Sequence, residues 1–194
     1  MEKKATSRVS LAAFGLILAL MAVNLLLIRQ NFALRHQLSE AGRKAEAPVA
    51  LKAGETVNPI AGTDLNGRPF EVKYQKEGRR HLLLYFSPCC TYCVQQASLW
   101  REALNRIDDG RVSVVGVVSD REDRQAVLAH ADRAGYFKTK TPMPIAFFDD
   151  ASLARYKLTA TPTTLLINEE GKVEHAWVAK WDEEQVSEAA AALK

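Results

Sequence analysis

The chain carries three cysteines, and all of them lie close together, at Cys89, Cys90 and Cys93. An apolar run over residues 82–86 has β-strand character, and the Ser87-Pro88 dipeptide breaks it just before the cysteines. An amphipathic pattern begins directly after Cys90, which predicts the start of a helix. The segment Cys90-Thr91-Tyr92-Cys93 is therefore predicted to be a C-x-x-C pair at a helix N-terminus.

This pair is suited to thiol-disulfide exchange. The first N–H groups of a helix have no partner within the helix and carry partial positive charge, which stabilises a thiolate on Cys90. Cys93, three residues further along, is close enough to attack a mixed disulfide formed on Cys90. We therefore predict that Cys90 is the nucleophile and that Cys93 is the resolving thiol.

A C-x-x-C pair can also have a structural role, either as half of a zinc site or as a disulfide that closes a short loop. Structural zinc needs four ligands, and the sequence contains no second Cys/Cys or Cys/His pair to complete the set. Three cysteines in so short a stretch also do not form a disulfide framework. We predict a reactive site that uses no metal and no cofactor.

The composition favours one sizeable core with an N-terminal extension. The chain has 194 residues, of which 47% are hydrophobic, and a formal net charge of +3. Seven Lys/Arg and three Asp/Glu precede residue 49, which gives +4, so the remainder carries −1. The remainder also has no cluster of basic residues, and we therefore predict no binding of nucleic acid.

The N-terminal extension contains an uncharged apolar run from Val9 to Ile28. Its length suits a single membrane-spanning helix, and no A-x-A pattern follows it as in a cleaved signal peptide. Lys3, Lys4 and Arg8 precede the run and favour a cytoplasmic N-terminus. We predict an anchor over residues 1–30, a stalk or linker over 31–53, and a globular domain over 54–194 on the periplasmic or outer side of the cytoplasmic membrane.

The sequence of the globular domain predicts alternating strands and helices. An Asn66-Gly67 turn predicts an opening β-hairpin, and an amphipathic helix is predicted from Thr91 to about residue 108. A strand is predicted over 112–118, and Ser119 with Glu122 predicts a capping box for a helix ending near residue 134. Strands over 145–148, 163–167 and 173–179 and helices over 151–156 and from residue 182 complete the pattern. This order predicts an α/β fold with a mixed central sheet flanked by helices.

Two motifs together resemble the thioredoxin superfamily, and within it the membrane-anchored TlpA/ResA-like thiol-disulfide oxidoreductases. They are the strand-C-x-x-C-helix unit at Cys90 and Cys93 and the Thr161-Pro162-Thr163 segment before a paired hairpin. The resemblance covers residues 54–180 and implies a thioredoxin-like fold. It also implies that Pro162 follows a cis bond beside the C-x-x-C pair and that the backbone of Thr161 pairs with a substrate strand.

The resemblance implies a function as well as a fold. The chain is expected to be an enzyme, a thiol-disulfide oxidoreductase that reduces or exchanges disulfides in partner proteins. A disulfide- or thiol-containing protein is the expected substrate, and a membrane protein could supply electrons to the pair. Which protein is the substrate stays open at this stage.

Several positions depart from the family pattern. Cys89 stands where Trp is usual, Leu84 where thioredoxins carry a buried Asp, and Gln96 and Ser98 where many members have Glu and Pro. These departures leave the direction of electron flow open, since such neighbours tune thiolate stability. The histidines at 81, 130 and 175 are expected at the surface or at strand edges, without a catalytic role.

Two other functions remain as alternatives. A copper chaperone of the Sco type uses a C-x-x-x-C pair and a distant histidine. Cys89 and Cys93 match the spacing of the pair, but the segment directly before Thr161-Pro162 contains no histidine to complete the ligand set. A peroxiredoxin-like peroxidase has Pro seven and Thr or Ser three residues before its reactive cysteine. Ser87 meets half of this pattern for Cys90, but Leu83 stands where the proline should be.

Overall fold

The computed structural model describes residues 19–34, 49–74, 78–107, 110–141 and 143–193. The chain divides into two compact units, Met1–Ala47 and Pro48–Lys194. In the first unit, helix α1 covers residues 19–34. The finer division predicted from the sequence, into an anchor, a stalk and a domain beginning at residue 54, stays a prediction.

The predicted membrane span falls only partly within the described residues. Residues 19–28 of this span lie in α1, whereas its first half, residues 9–18, lies outside them. Most of the predicted stalk, residues 35–48, lies outside them as well. Within the part of the chain that is described, no helix has both the length and the apolar character needed to cross a membrane.

The second unit alternates strands and helices as predicted. In chain order its elements are β1 (Ile60–Asp64), β2 (Pro69–Val72), β3 (Arg80–Tyr85), α2 (Thr91–Arg106), β4 (Val112–Ser119), α3 (Arg124–Ala134), a 3-10 turn (Tyr136–Lys138), β5 (Ile145–Phe148), α4 (Asp150–Arg155), β6 (Thr163–Ile167), β7 (Val173–Val178) and α5 (Glu183–Ala192). The turn between β1 and β2 contains Gly67 with a φ of 78°, a conformation that glycine adopts without strain.

The strands form one seven-stranded mixed sheet in the order β2-β1-β5-β4-β3-β6-β7. β3 pairs in parallel with β4 and antiparallel with β6, so it lies inside the sheet. β3, β4 and β5 are nearly continuous apolar runs because the sheet is covered on both faces. The predicted α/β fold with a mixed sheet is confirmed.

Successive residues of β3 contribute to two separate core clusters, one on each face of the sheet. Leu82 and Leu84 pack with residues of α2, α3 and α5, whereas Leu83 packs with residues of α4 on the other face. This alternation follows from the two-residue period of a strand. The cluster that contains Leu84 also contains Cys93, so the resolving thiol faces the core that α2, α3 and α5 cover.

Three local predictions differ from the structure. Helix α3 begins after Asp123, whose side chain accepts the Ala126 N–H at 2.8 Å, so the predicted capping box at Ser119 is wrong. Residue 119 is instead the last residue of β4. His81 and His130 are buried rather than at the surface, because each lies on an inward-facing position of its element.

Candidate active site

The loop from β3 to α2 brings the three cysteines to the edge of the sheet. Cys90 is the N-cap of α2, and its sulfur accepts a hydrogen bond from the Cys93 N–H at 3.2 Å. A helix N-cap has extended backbone and leaves its side chain free to accept from the unpaired N–H groups of the first turn. The sulfur of Cys90 is thus held by the group that would stabilise it as a thiolate.

The three thiols differ in exposure. Cys89 is exposed, Cys90 is half-buried and Cys93 is completely buried, and all three are free. The Cys89 sulfur lies 3.0 Å from the Ser87 hydroxyl oxygen. A substrate can therefore reach Cys90 from outside, while Cys93 is shielded behind it.

The surroundings separate the acidities of the pair. Burial raises the pKa of the Cys90 thiol, but hydrogen bonds with the side chains of Cys93 and Thr161 and with the backbone N–H groups of Cys93 and Tyr92 outweigh it, and the pKa lies below its usual value. Burial raises the pKa of Cys93 to about 12, and the hydrogen bond with the Cys90 sulfur adds to this. Of the two thiols, Cys90 therefore ionises first.

The Thr-Pro segment meets the cysteines because of the pairing between β3 and β6. Tyr85, the last residue of β3, is opposite Thr163, the first residue of β6, so the loops that flank them are neighbours. The Cys90 sulfur lies 3.5 Å from the carbonyl oxygen of Thr161, to which it donates as a thiol. The Thr161–Pro162 bond is cis, and the Pro162 carbonyl accepts from the Ala179 N–H at 2.8 Å. The structure thus brings together the four residues singled out from the sequence.

Helix α2 is braced to the sheet and to the last loop by two buried polar contacts that the sequence did not suggest. The indole N–H of Trp100 donates to the Thr164 hydroxyl at 3.0 Å. The side-chain oxygen of Gln96 accepts from the Trp181 N–H at 2.8 Å. Thr164 lies in β6, two residues after Pro162, and Trp181 lies two residues after Ala179, whose N–H donates to the Pro162 carbonyl. The two contacts therefore fix α2, which carries the cysteines, relative to the Thr161-Pro162 segment.

The core behind Cys93 contains two further polar groups. Tyr136 and His130 are buried there, and the Tyr136 hydroxyl and the Nε2 atom of His130 have no hydrogen-bond partner among the residues that the structure describes. Sequence reasoning missed both residues. For His130 a signal existed, since Val127, His130 and Ala131 share one face of α3 and that face is buried.

Nothing in the described segments assembles three or more side chains able to hold a metal ion. The copper alternative rested on Cys89 and Cys93. These two sulfurs lie in different surroundings, since one is exposed and the other is buried in the core cluster.

A mixed sheet with a C-x-x-C pair at the start of a helix, beside a Thr-Pro loop, defines a thioredoxin-like protein. Solved structures with this fold are similar to the chain. The thioredoxin domain of a thiol-disulfide oxidoreductase from Bacteroides vulgatus has a TM-score of 0.57 and 18% identity, and the match covers 75% of this chain and 100% of that one. A secreted disulfide oxidoreductase from Mycobacterium tuberculosis, described as homologous to E. coli DsbE, has a TM-score of 0.54 and 20% identity over 69% and 96% of the two chains.

A third similar structure is the peroxidoxin BcpB from Mycobacterium tuberculosis, with a TM-score of 0.56 and 20% identity over 74% of this chain and 96% of that one. At these identities the likeness establishes the fold. No curated protein matches the sequence. Residues 53–176 match the AhpC/TSA family, and the chain belongs to that family. The predicted membership of the thioredoxin superfamily is confirmed, and the oxidoreductases among the neighbours agree with the predicted class of enzyme.

Proposed function

We propose that the protein is a membrane-anchored, extracytoplasmic thiol-disulfide oxidoreductase that works through Cys90 and Cys93. The observation that supports this most strongly is the contrast between the two thiols. Cys90 is reachable from solvent and its sulfur accepts an N–H at the helix start, whereas Cys93 is buried directly behind it. A low-pKa attacking thiol and a shielded resolving thiol are what disulfide exchange requires.

The reaction proceeds in two exchanges. The Cys90 thiolate attacks one sulfur of a substrate disulfide, the substrate S–S bond breaks, and the second substrate sulfur leaves as a thiolate that takes a proton from water. Cys93 then loses its proton and attacks the Cys90 sulfur, so that a Cys90–Cys93 disulfide forms and the first substrate sulfur leaves. The substrate gains two electrons and the pair loses two, and the reverse sequence oxidises a dithiol.

The surface around Cys90 suits a protein substrate. Tyr92 and Val94 are 62% and 58% exposed, although both are large and apolar, and they flank the buried Cys93 on α2. Exposed apolar side chains beside a reactive group are typical of surfaces that bind other proteins. The backbone of Thr161, whose carbonyl oxygen lies 3.5 Å from the Cys90 sulfur, is the proposed pairing partner for an extended substrate segment.

The proposed anchor is supported by α1. Its leucines at 25, 26 and 27 point in successive directions around the helix, and they are 63%, 59% and 55% exposed. A helical stretch that is apolar in every direction, as residues 25–28 are, suits a lipid environment rather than the surface of a soluble domain. Asn24 donates its side-chain amide to the Leu20 carbonyl at 3.1 Å, so this polar group is satisfied within the helix. A membrane protein that keeps the pair reduced is the proposed electron donor.

A peroxidase is the second candidate, because the AhpC/TSA family and the peroxidoxin neighbour both point towards it. Two features of this site argue against it. Leu83, where the peroxidase pattern has Pro, is a buried residue within β3, and the Ser87 hydroxyl contacts Cys89 rather than Cys90.

Turnover with defined substrates separates these functions. The full chain is expected to catalyse the reduction of insulin disulfides by dithiothreitol, and Cys90→Ser is expected to reduce the rate at least about a thousandfold, because it removes the nucleophile. Cys89→Ser is the matched control and is expected to retain most of the activity. Consumption of hydrogen peroxide without insulin reduction would establish the peroxidase instead. Tight Cu(I) binding that Cys89→Ser abolishes, with negligible reductase activity in both proteins, would establish the copper chaperone.

The orientation in the membrane is tested by a reporter fusion. Alkaline phosphatase joined after Pro48 is expected to be active in a bacterial host, because that reporter becomes active only where its own disulfides form outside the cytoplasm. A cytoplasmic reporter, β-galactosidase, joined at the same residue is expected to be inactive. A well-expressed but inactive phosphatase fusion, with an active β-galactosidase fusion, would place the domain on the cytoplasmic side.

A further inference from the structure

Ionisation of the resolving thiol, Cys93, has to be assisted by a group outside the C-x-x-C pair. Cys93 is completely buried, and its pKa is raised to about 12, so ionisation is strongly disfavoured. Leu84, on the strand that faces it, is apolar and offers neither a proton acceptor nor a hydrogen-bond donor. A group in the same core that can stabilise the Cys93 thiolate would speed the second exchange.

Tyr136 belongs to the same core as Cys93. It is fully buried in the core cluster that contains Cys93. Its ring lies 5.9 Å from the ring of Phe86, which follows β3, and 6.3 Å from the ring of Trp100, which lies two turns beyond Cys93 on the same face of α2. The Tyr136 ring is therefore packed against both elements that hold the cysteine pair.

Within the described part of the chain, the hydroxyl of Tyr136 has no hydrogen-bond partner, although it is buried. A buried hydroxyl without a partner destabilises the folded state, and a native protein that keeps one gains something else from it. Burial, together with the nearby Cys93, raises the pKa of Tyr136, so the phenol stays neutral and keeps a proton to donate.

A path to solvent lies next to Tyr136. The His130 ring stacks on Phe86 at 5.3 Å and lies 6.1 Å from the Tyr136 ring. Its Nε2 atom is also buried, and no described residue forms a hydrogen bond with it. His130 lines an open groove of about 240 Å³ between α2 and α3, together with Val94 and Ser98 and the two arginines Arg101 and Arg133. Burial and the Arg133 charge lower the pKa of His130, which is therefore neutral and, as a weak base, would hold a proton only briefly before passing it to water.

We propose that the Tyr136 hydroxyl donates a hydrogen bond to the Cys93 sulfur as this thiol ionises, and that the released proton leaves through His130 into the water of the groove. This inference rests on the proposed function and adds to it the residues that make the second exchange possible. The Cys93 S–H bond breaks and its proton passes to the neutral imidazole and then to water. The sulfur electron pair forms the bond to Cys90, and the substrate sulfur leaves with the electrons of the broken mixed disulfide.

The rates of the two exchanges can be measured separately with an aromatic disulfide as the substrate. When stoichiometric 5,5′-dithiobis(2-nitrobenzoate) meets the reduced full chain, attack by Cys90 releases one coloured thiolate and attack by Cys93 on the mixed disulfide releases the second. A Cys89→Ser background removes the third thiol from the measurement. Tyr136→Phe keeps the ring and deletes only a hydroxyl that has no partner, so its unfolding midpoint in denaturant is expected to equal or exceed that of the background protein.

Tyr136→Phe is expected to slow the second release about tenfold to a hundredfold and to leave the first unchanged within about twofold. His130→Phe, which keeps a ring against Phe86, is expected to slow the same release several-fold. Tyr74→Phe is the matched control, because Tyr74 packs with the cluster on the opposite face of the sheet and its hydroxyl contacts Tyr156 there.

Equal second-release rates in the background protein and Tyr136→Phe would overturn the role of Tyr136, as would equal slowing of both releases. An unchanged second release in His130→Phe would overturn the proton path alone. A background protein that releases no second thiolate would instead contradict the proposed function itself, whatever the variants do.

Discussion

Cys93→Ser protein is expected to accumulate stable mixed disulfides with its substrates, whereas Cys90→Ser protein is expected to accumulate few or none. The reason is the geometry of the pair. Cys90 is accessible and its sulfur accepts the Cys93 N–H, so it performs the first attack, and without the buried Cys93 thiol the resulting bond to substrate is not resolved. The difference is close to all-or-none, because each variant stops the cycle at a different step.

The trapping is best made in a Cys89→Ser background, since an exposed neighbouring thiol could resolve the mixed disulfide in place of Cys93. Complexes are counted on non-reducing gels after acid quenching, and their disappearance on reduction is the control. Comparable trapping by both variants would show that the roles of Cys90 and Cys93 are assigned wrongly. Trapping that requires Cys89 would move the nucleophile to that residue.

The local parts of the site could be predicted from the sequence because each depends on a short pattern. The apolar run before Ser87 and the amphipathic pattern after Cys90 place the pair where β3 ends and α2 begins, as the structure has it. The helix predicted from residue 182 is α5, and it begins with a capping box of Asp182 and Gln185, since both partners lie within one turn.

The parts that depend on contacts between distant segments could not be predicted. The hydrogen bond from the Trp181 N–H to the Gln96 side chain could not be predicted from the residues around Gln96, because the two residues meet only after α5 packs against α2. Tyr136 follows Gly135, the left-handed cap of α3, and therefore falls outside the helical periodicity that reveals buried positions. Its position beside Phe86 and Trp100 is a product of how the 3-10 turn packs on the sheet.

The capping box predicted at Ser119 failed for a different reason. The pattern of Ser followed three residues later by Glu is present, but Asp123 is an equally good cap and stands closer to the first buried residue of α3, Val127. The Ser119 hydroxyl instead accepts the Arg121 N–H at 3.3 Å in the turn after β4. Two adjacent capping signals of similar strength cannot be ranked without knowing where the preceding strand ends.

The proposed exchange reaction depends most directly on the difference in acidity between the two thiols, and the pH dependence of alkylation measures this difference. Iodoacetamide reacts with thiolates, and fragment mass spectra of the labelled peptide distinguish Cys90 from Cys93. Because the pKa of Cys90 is lowered from 9.0, its labelling is expected to persist as the pH falls below that value, with a midpoint under 9.0. Cys93, with a pKa of about 12, is expected to stay largely thiol.

At pH 8 Cys90 is expected to react at least about thirtyfold faster than Cys93, after allowance for the lower nucleophilicity of the less basic thiolate. The rates are measured on the reduced full chain, and urea-unfolded protein, in which the two thiols should react alike, is the control. A Cys90 midpoint below 9.0 with Cys93 nearly unlabelled is the result that the account predicts. A Cys90 midpoint at or above 9.0, or labelling of Cys93 as fast as that of Cys90, would contradict it.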